Sequence, residues 1–172
     1  MLTVCLLMLN TAALAAQSAV ILLYHHVAED TPPSTTISPA DFEAHLSYLR
    51  DNGFTVVGLD RAIESLRSNQ ALPEKSVVIT FDDGYSSIYS EAFPLLQSYG
   101  YPFTLFLSTG PIDSGLRNYM NWDQIREMSD AGVIIANHMV DHPYMLEPLD
   151  SESDSERLGR LRAELLQAEQ RI

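Results

Sequence analysis

The sequence predicts an α/β fold built on a parallel sheet with helices outside it. Two observations lead there. Apolar runs without polar alternation recur at residues 19–24, 54–57, 77–81, 103–107 and 133–136, the pattern of strands buried on both faces. Between them lie segments whose apolar residues recur at helical spacing, and strand–helix alternation of this kind yields a parallel architecture, here of about five strands. At 172 residues the chain amounts to one domain with a sizeable core.

The helices can be justified in order. Ser38-Pro39-Ala40-Asp41 supplies a cap, a proline at the first helical position and an acid in the first turn; Phe42, Leu46 and Leu49 then share a face up to the stop at Asn52-Gly53. Asp60 can cap a helix over residues 61–67, with Ile63 and Leu66 expected to face inward. A helix over residues 86–99 should end at Gly100, and Pro94 should kink or split it. Residues 121–131 form another, closed by Gly132. The tail, residues 151–172, opens with the capping box Ser153-Asp154-Ser155-Glu156 and carries a stripe of Leu158, Leu161 and Leu165, which reads as a surface helix packed on the body. No internal repeat or low-complexity linker interrupts the pattern.

The formal charge of −13 argues against nucleic acid and anionic membrane surfaces as partners, since both would repel it. Residues 1–16 are apolar in the middle, end in small residues (Ala13-Leu14-Ala15 fits A-x-A) and carry no charge. They read as a secretory signal lacking its basic start, with a core strand or helix as the alternative, and are too short for a comfortable membrane span. The domain would then be residues 17–172, exported to the periplasm, cell envelope or exterior, with no integral span after signal removal. Cys5 is the only cysteine and would leave with the signal, so the mature chain would have neither a disulfide nor a thiol nucleophile.

Three predicted strands end in polar groups: Tyr24-His25-His26, Asp82-Asp83 and Asn137-His138. Ligand sites in parallel α/β sheets gather at the C-terminal strand ends, so geometry brings these groups toward one another. An Asp-Asp-Gly after a strand has an ordinary reading as a turn and helix cap. Paired with His138 and His142, four residues apart after a neighbouring strand, it gains another one. One carboxylate and two imidazoles make a three-ligand set for a catalytic divalent metal, with positions left open, and a second carboxylate remains as a base. Pro143 disfavours helix at His142, so a strand end followed by a turn is expected.

Thr80-Phe81-Asp82-Asp83-Gly84 and His138-Met139-Val140-Asp141-His142 resemble the first and second motifs, T-F-D-D-G and H-(S/T)-x-x-H, of the polysaccharide deacetylase (NodB-homology, carbohydrate esterase family 4) enzymes. The resemblance runs over about residues 19–172. It implies an incomplete (β/α) barrel, about five of the family's seven strands. It assigns Asp82 as general base and Asp83, His138 and His142 as metal ligands. The metal would be a divalent cation, zinc favoured, with Co²⁺, Ni²⁺ or Fe²⁺ as other candidates. The activity implied is N-deacetylation of N-acetylglucosamine in a polysaccharide; the Tyr24-His25-His26 start tilts toward poly-β-1,6-N-acetylglucosamine. His25, His26 and Tyr85 are candidate substrate contacts, with a structural role for at least one histidine about equally expected.

Two departures matter. Met139 occupies the Ser/Thr slot, so weaker support for the histidine loop is expected. The family's arginine motif (R-x-P-Y), tryptophan motif and general-acid histidine do not follow, so turnover by the 172-residue chain alone is expected to be severely impaired. A deacetylase or esterase of peptidoglycan, chitin or xylan, a catalytically incomplete glycan- or metal-binding remnant, and a metal-free α/β domain stay open as alternatives.

Overall fold

The computed structural model describes residues 18–172; the signal segment expected at residues 1–16 lies outside them. In chain order the elements are β1 (Val20–Tyr24), β2 (His26–Val27), β3 (Thr36–Ile37), α1 (Pro39–Asp51), β4 (Thr55–Val56), α2 (Leu59–Ser68), β5 (Ser76–Asp83), a π-helical turn (Ile88–Ala92), α3 (Phe93–Tyr99), β6 (Thr104–Leu107), α4 (Thr109–Asp113), α5 (Trp122–Asp130), β7 (Ile134–Asn137) and α6 (Asp154–Glu169). The main sheet is five-stranded and parallel, in the order β1-β5-β6-β7 with β4 paired to the start of β5. Among the described residues it does not close. The five parallel strands form the incomplete barrel that was expected. No described helix is long and apolar enough to cross a membrane.

The central strand β5 is buried over Ser76–Phe81 and sits in an aromatic cluster. Phe81 is fully buried, its ring centroid 5.5 Å from Tyr24, 5.8 Å from Phe42 and 5.6 Å from Phe103. This packing fixes where the strand delivers Asp82 and Asp83. Phe81→Ala removes the shared ring and leaves a cavity at the hinge between core and site. The expected cost is about 3–5 kcal/mol of folding stability, read as a lowered denaturant midpoint in chemical unfolding.

Helix starts follow the chemistry of their first residues. In α1, Ser38 accepts from the Asp41 N–H at 3.0 Å and Pro39 occupies the first turn. In α5, Asn121 and Gln124 form a reciprocal capping box. The expected helix over residues 86–99 is split: the Phe93 N–H reaches the Ile88 carbonyl, closing a π turn, and α3 begins with Pro94 in its first turn, where the missing N–H costs nothing.

Two expectations need correction. Helix α2 starts earlier than Asp60, capped at Gly58, and buries Ala62 and Ser65. Ile63 and Leu66 are exposed instead, at 41% and 68%. The reason is the partner surface: Val57, Leu72 and Val78 accept small side chains in close approach, and Ser65 is free to enter because its hydroxyl donates to the Gln70 carbonyl. In α6 the leucine stripe is not the docking face. Leu158 and Leu165 are exposed, Ala168 is the residue the helix buries, and polar contacts hold the helix to the body.

Candidate metal centre

Sheet register sets the site. Asp83 lies opposite Leu107 and Leu107 opposite Asn137, so β5 and β7 end at one level with β6 between them. On the other side Tyr24 lies opposite Phe81, so His25 and His26 leave the sheet at the height of Asp82 and Asp83. The three polar strand ends share one edge.

The backbone turns sharply there. Asp83 and Gly84 both have positive φ, 72° and 93°, and the Gly84 N–H donates to the Asp82 carbonyl at 2.9 Å. A left-handed aspartate is uncommon, and strain of this type collects at functional sites. Glycine is required next, because a Cβ at position 84 would come within 2.9 Å of the Leu107 side chain.

One oxygen or ring nitrogen from each of Asp83, His138 and His142 lies within 4.8 Å of the others. His138 Nε2 stands 3.5 Å from Asp83 Oδ1 and 3.8 Å from Asp82 Oδ2, and the His138 and His142 rings are 4.5 Å apart. His138 Nε2 is buried with no hydrogen-bond partner among the described residues. A buried, unpartnered imidazole nitrogen aimed at a carboxylate beyond hydrogen-bond distance fits a cation between them. The donor set of two nitrogens and one carboxylate oxygen suits a transition-metal dication.

Burial sets the electrostatics of Asp82 and His138. Burial raises the Asp82 carboxyl above its ordinary range, with His138 and His25 opposing that rise. Burial lowers His138, partly offset by Asp82, so its ring favours the neutral form that ligates metal. His26 is likewise lowered by burial first and His25 second.

The flanking residues divide. His26 is buried and stacks on Tyr85 at 3.7 Å between centroids; Tyr85 in turn packs on Tyr119 at 4.8 Å. Burial raises the Tyr85 hydroxyl, with Tyr119 and Asp83 adding to the effect. His26 thus has a packing role, whereas the field of His25 is felt at both Asp82 and His138. A hollow of about 240 Å³ opens beside Asp83 and His142, walled by Tyr85, Tyr119, Tyr144 and Asp141. Trp122 is drawn elsewhere: its indole N–H donates to Asp113 at 2.8 Å.

The histidine loop is held mainly through its backbone. The His138 N–H donates to the Leu107 carbonyl, and the Met139 N–H to Asn137 Oδ1 at 2.8 Å. The Thr109 and Gly110 N–H groups donate to the Met139 and Val140 carbonyls. Met139 is itself buried and left-handed, with φ 69°. No hydroxyl at position 139 is needed for these bonds. Sequence reasoning missed Glu164, whose carboxylate reaches the loop from α6; no local pattern around position 164 signals it.

The family model for polysaccharide deacetylase matches residues 69–172. The chain belongs to the polysaccharide deacetylase family. It is 36% identical over 109 residues to the YxkH protein of Bacillus subtilis, covering 63% of this chain and 38% of that one. It is 31% identical over 116 residues to the poly-beta-1,6-N-acetyl-D-glucosamine N-deacetylase of Escherichia coli K12, covering 59% of this chain and 17% of the relative. Among solved structures, a de-N-acetylase from Aggregatibacter actinomycetemcomitans superposes with a TM-score of 0.79 at 26% identity, over 87% of this chain and 72% of that one. The chain therefore spans less than two-fifths of the length of these two curated relatives.

Proposed function

We propose that this chain carries the metal-binding part of a polysaccharide N-deacetylase that removes acetyl groups from N-acetylglucosamine residues. Poly-β-1,6-N-acetylglucosamine is the favoured substrate, since relatives named for that activity match at 31% identity. The observation that carries the reading is the approach of Asp83, His138 and His142 around the unpartnered His138 Nε2.

Asp83, His138 and His142 would hold a divalent cation, zinc favoured. Such a cation lowers the pKa of water and polarises a carbonyl oxygen. Asp82, close to the same histidine but outside the triad, accepts the proton of the attacking water; burial raises its proton affinity toward what a general base needs. His25, which leaves the sheet at the height of Asp82, is a candidate contact to the substrate. The tyrosine-walled hollow offers apolar faces for a sugar ring. The strongly acidic chain suits a neutral or partly deacetylated, cationic glycan. Such a substrate lies outside the cytoplasm, in keeping with export directed by residues 1–16.

The test is acetate release from purified poly-β-1,6-N-acetylglucosamine by the full-length gene product. Release is expected to stop on treatment with a zinc chelator and to return when zinc is restored. Glycan binding with no acetate released in the presence of zinc would select the catalytically incomplete reading instead.

A further inference from the structure

Helix α6 docks on the body by polar contacts, and those contacts converge on the loop between His138 and His142. Glu164 Oε2 accepts from the Val140 N–H at 2.9 Å and from the Asp141 N–H at 3.0 Å. Asn137 Nδ2, at the end of β7, donates to the Leu165 carbonyl at 2.9 Å and to Glu169 Oε2 at 3.0 Å. On its other side the same loop receives the Thr109 and Gly110 N–H groups at the start of α4. The loop is pinched between two elements, and among the described residues only α6 satisfies the consecutive amides of Val140 and Asp141. Leu158, Leu165 and Leu166 of α6 remain exposed while Ala168 is buried and Leu161 partly so, and the polar contacts add to this limited apolar burial in seating the helix.

The pinch bears on backbone that would not hold its shape unaided. Met139 and His142 both have positive φ, 69° and 50°, conformations that non-glycine residues keep only when the surroundings over-determine them. A carboxylate that takes two successive amides is a strong, charge-assisted anchor. It fixes the residues that separate the two imidazoles by four positions.

We propose that Glu164 is a positioning residue of the metal centre, fixing through the Val140 and Asp141 amides the separation of the His138 and His142 rings and thereby the affinity for the cation. This rests on the reading of Asp83, His138 and His142 as ligands. Groups one step removed from a metal typically alter its affinity by about 10–100-fold.

The experiment titrates cobalt(II) into the metal-free intact protein, followed by visible absorption, alongside hydrogen exchange at the Val140 and Asp141 amides. Glu164→Ala is expected to weaken cobalt binding about 10–100-fold and to accelerate exchange at both amides. Glu164→Gln keeps an acceptor oxygen and is expected to fall between this variant and the wild type in both readouts. Should Glu164→Ala fail to fold, Glu164→Gln carries the test with the same two signals. Unchanged affinity and unchanged protection in these variants would overturn the proposal. Weakened cobalt binding with unchanged protection at both amides would also overturn it, because through-space charge rather than amide anchoring would then be responsible. If wild-type protein binds no cobalt, the metal reading fails, while the exchange data still decide whether Glu164 holds the loop.

Discussion

Asp82→Asn is expected to lower acetate release by about 10²–10⁴-fold, the range a positioned general base contributes, with kcat reduced and KM little changed. The proposed role of this residue differs from that proposed for its neighbour. Asp83 belongs to the triad whose ligand atoms lie within 4.8 Å of one another; Asp82 does not, and its carboxylate is 3.8 Å from His138 Nε2. Asparagine is nearly isosteric but cannot accept the proton of the attacking water. The variant should therefore still load its cation and still bind glycan, losing the chemical step alone. Undiminished turnover by Asp82→Asn would remove Asp82 from the mechanism. Lost metal together with lost turnover would move it into the ligand set.

His138→Ala is expected to weaken divalent-cation binding by more than the 10–100-fold typical for loss of an outer partner, because it deletes one of the three donors outright. His138 Nε2 faces Asp83 at 3.5 Å and has no partner of its own among the described residues. The pH dependence follows in sign. Burial lowers the proton affinity of His138, so the ring is neutral at and above the ordinary histidine pKa of about 6.5. Proton competition at this ring is displaced to lower pH, and affinity should hold through neutrality and fall as acid protonates His138. Calorimetric titration with zinc across a pH series checks both statements. Affinity unaltered by His138→Ala would place the cation elsewhere.

How much was legible in the sequence differs by element. The strands announced themselves as apolar runs, and β5 even carries its two carboxylates within the strand; the expected burial on both faces holds for β5 but not for β1, which leaves Val20, Ile21 and Leu23 exposed. The capping box at Ser153 acts locally and was readable as such, whereas the one at Asn121 emerged only in the structure. The face of α2 was misread because the choice of Ala62 and Ser65 over Ile63 and Leu66 depends on how closely the helix approaches Val57 and Val78, a distance no periodicity encodes. The same holds for α6, where the leucine stripe suggested an apolar docking face and a glutamate and a carbonyl supply the contact instead. The approach of the Asp82-Asp83 pair to His138 and His142 was foreseeable from strand ends, whereas the choice of Asp83 as the ligand came from the family resemblance. The left-handed backbone at Asp83, Met139 and His142 was not, because none of these is a residue type that demands it. Met139 shows the limit most clearly. Its lack of a hydroxyl suggested a poorly supported loop, yet the support runs through main-chain groups and Glu164, which a side-chain motif does not reveal.

The central claim is that a single cation sits among Asp83, His138 and His142 with Asp82 beside it. Anomalous diffraction at the zinc edge, from crystals of the protein grown with stoichiometric zinc, tests it most directly. The account predicts one strong peak within coordination distance of Asp83 and of a ring nitrogen of each histidine, and outside coordination distance of Asp82. A peak anywhere else, or no peak at this sheet edge in zinc-loaded crystals, would contradict it.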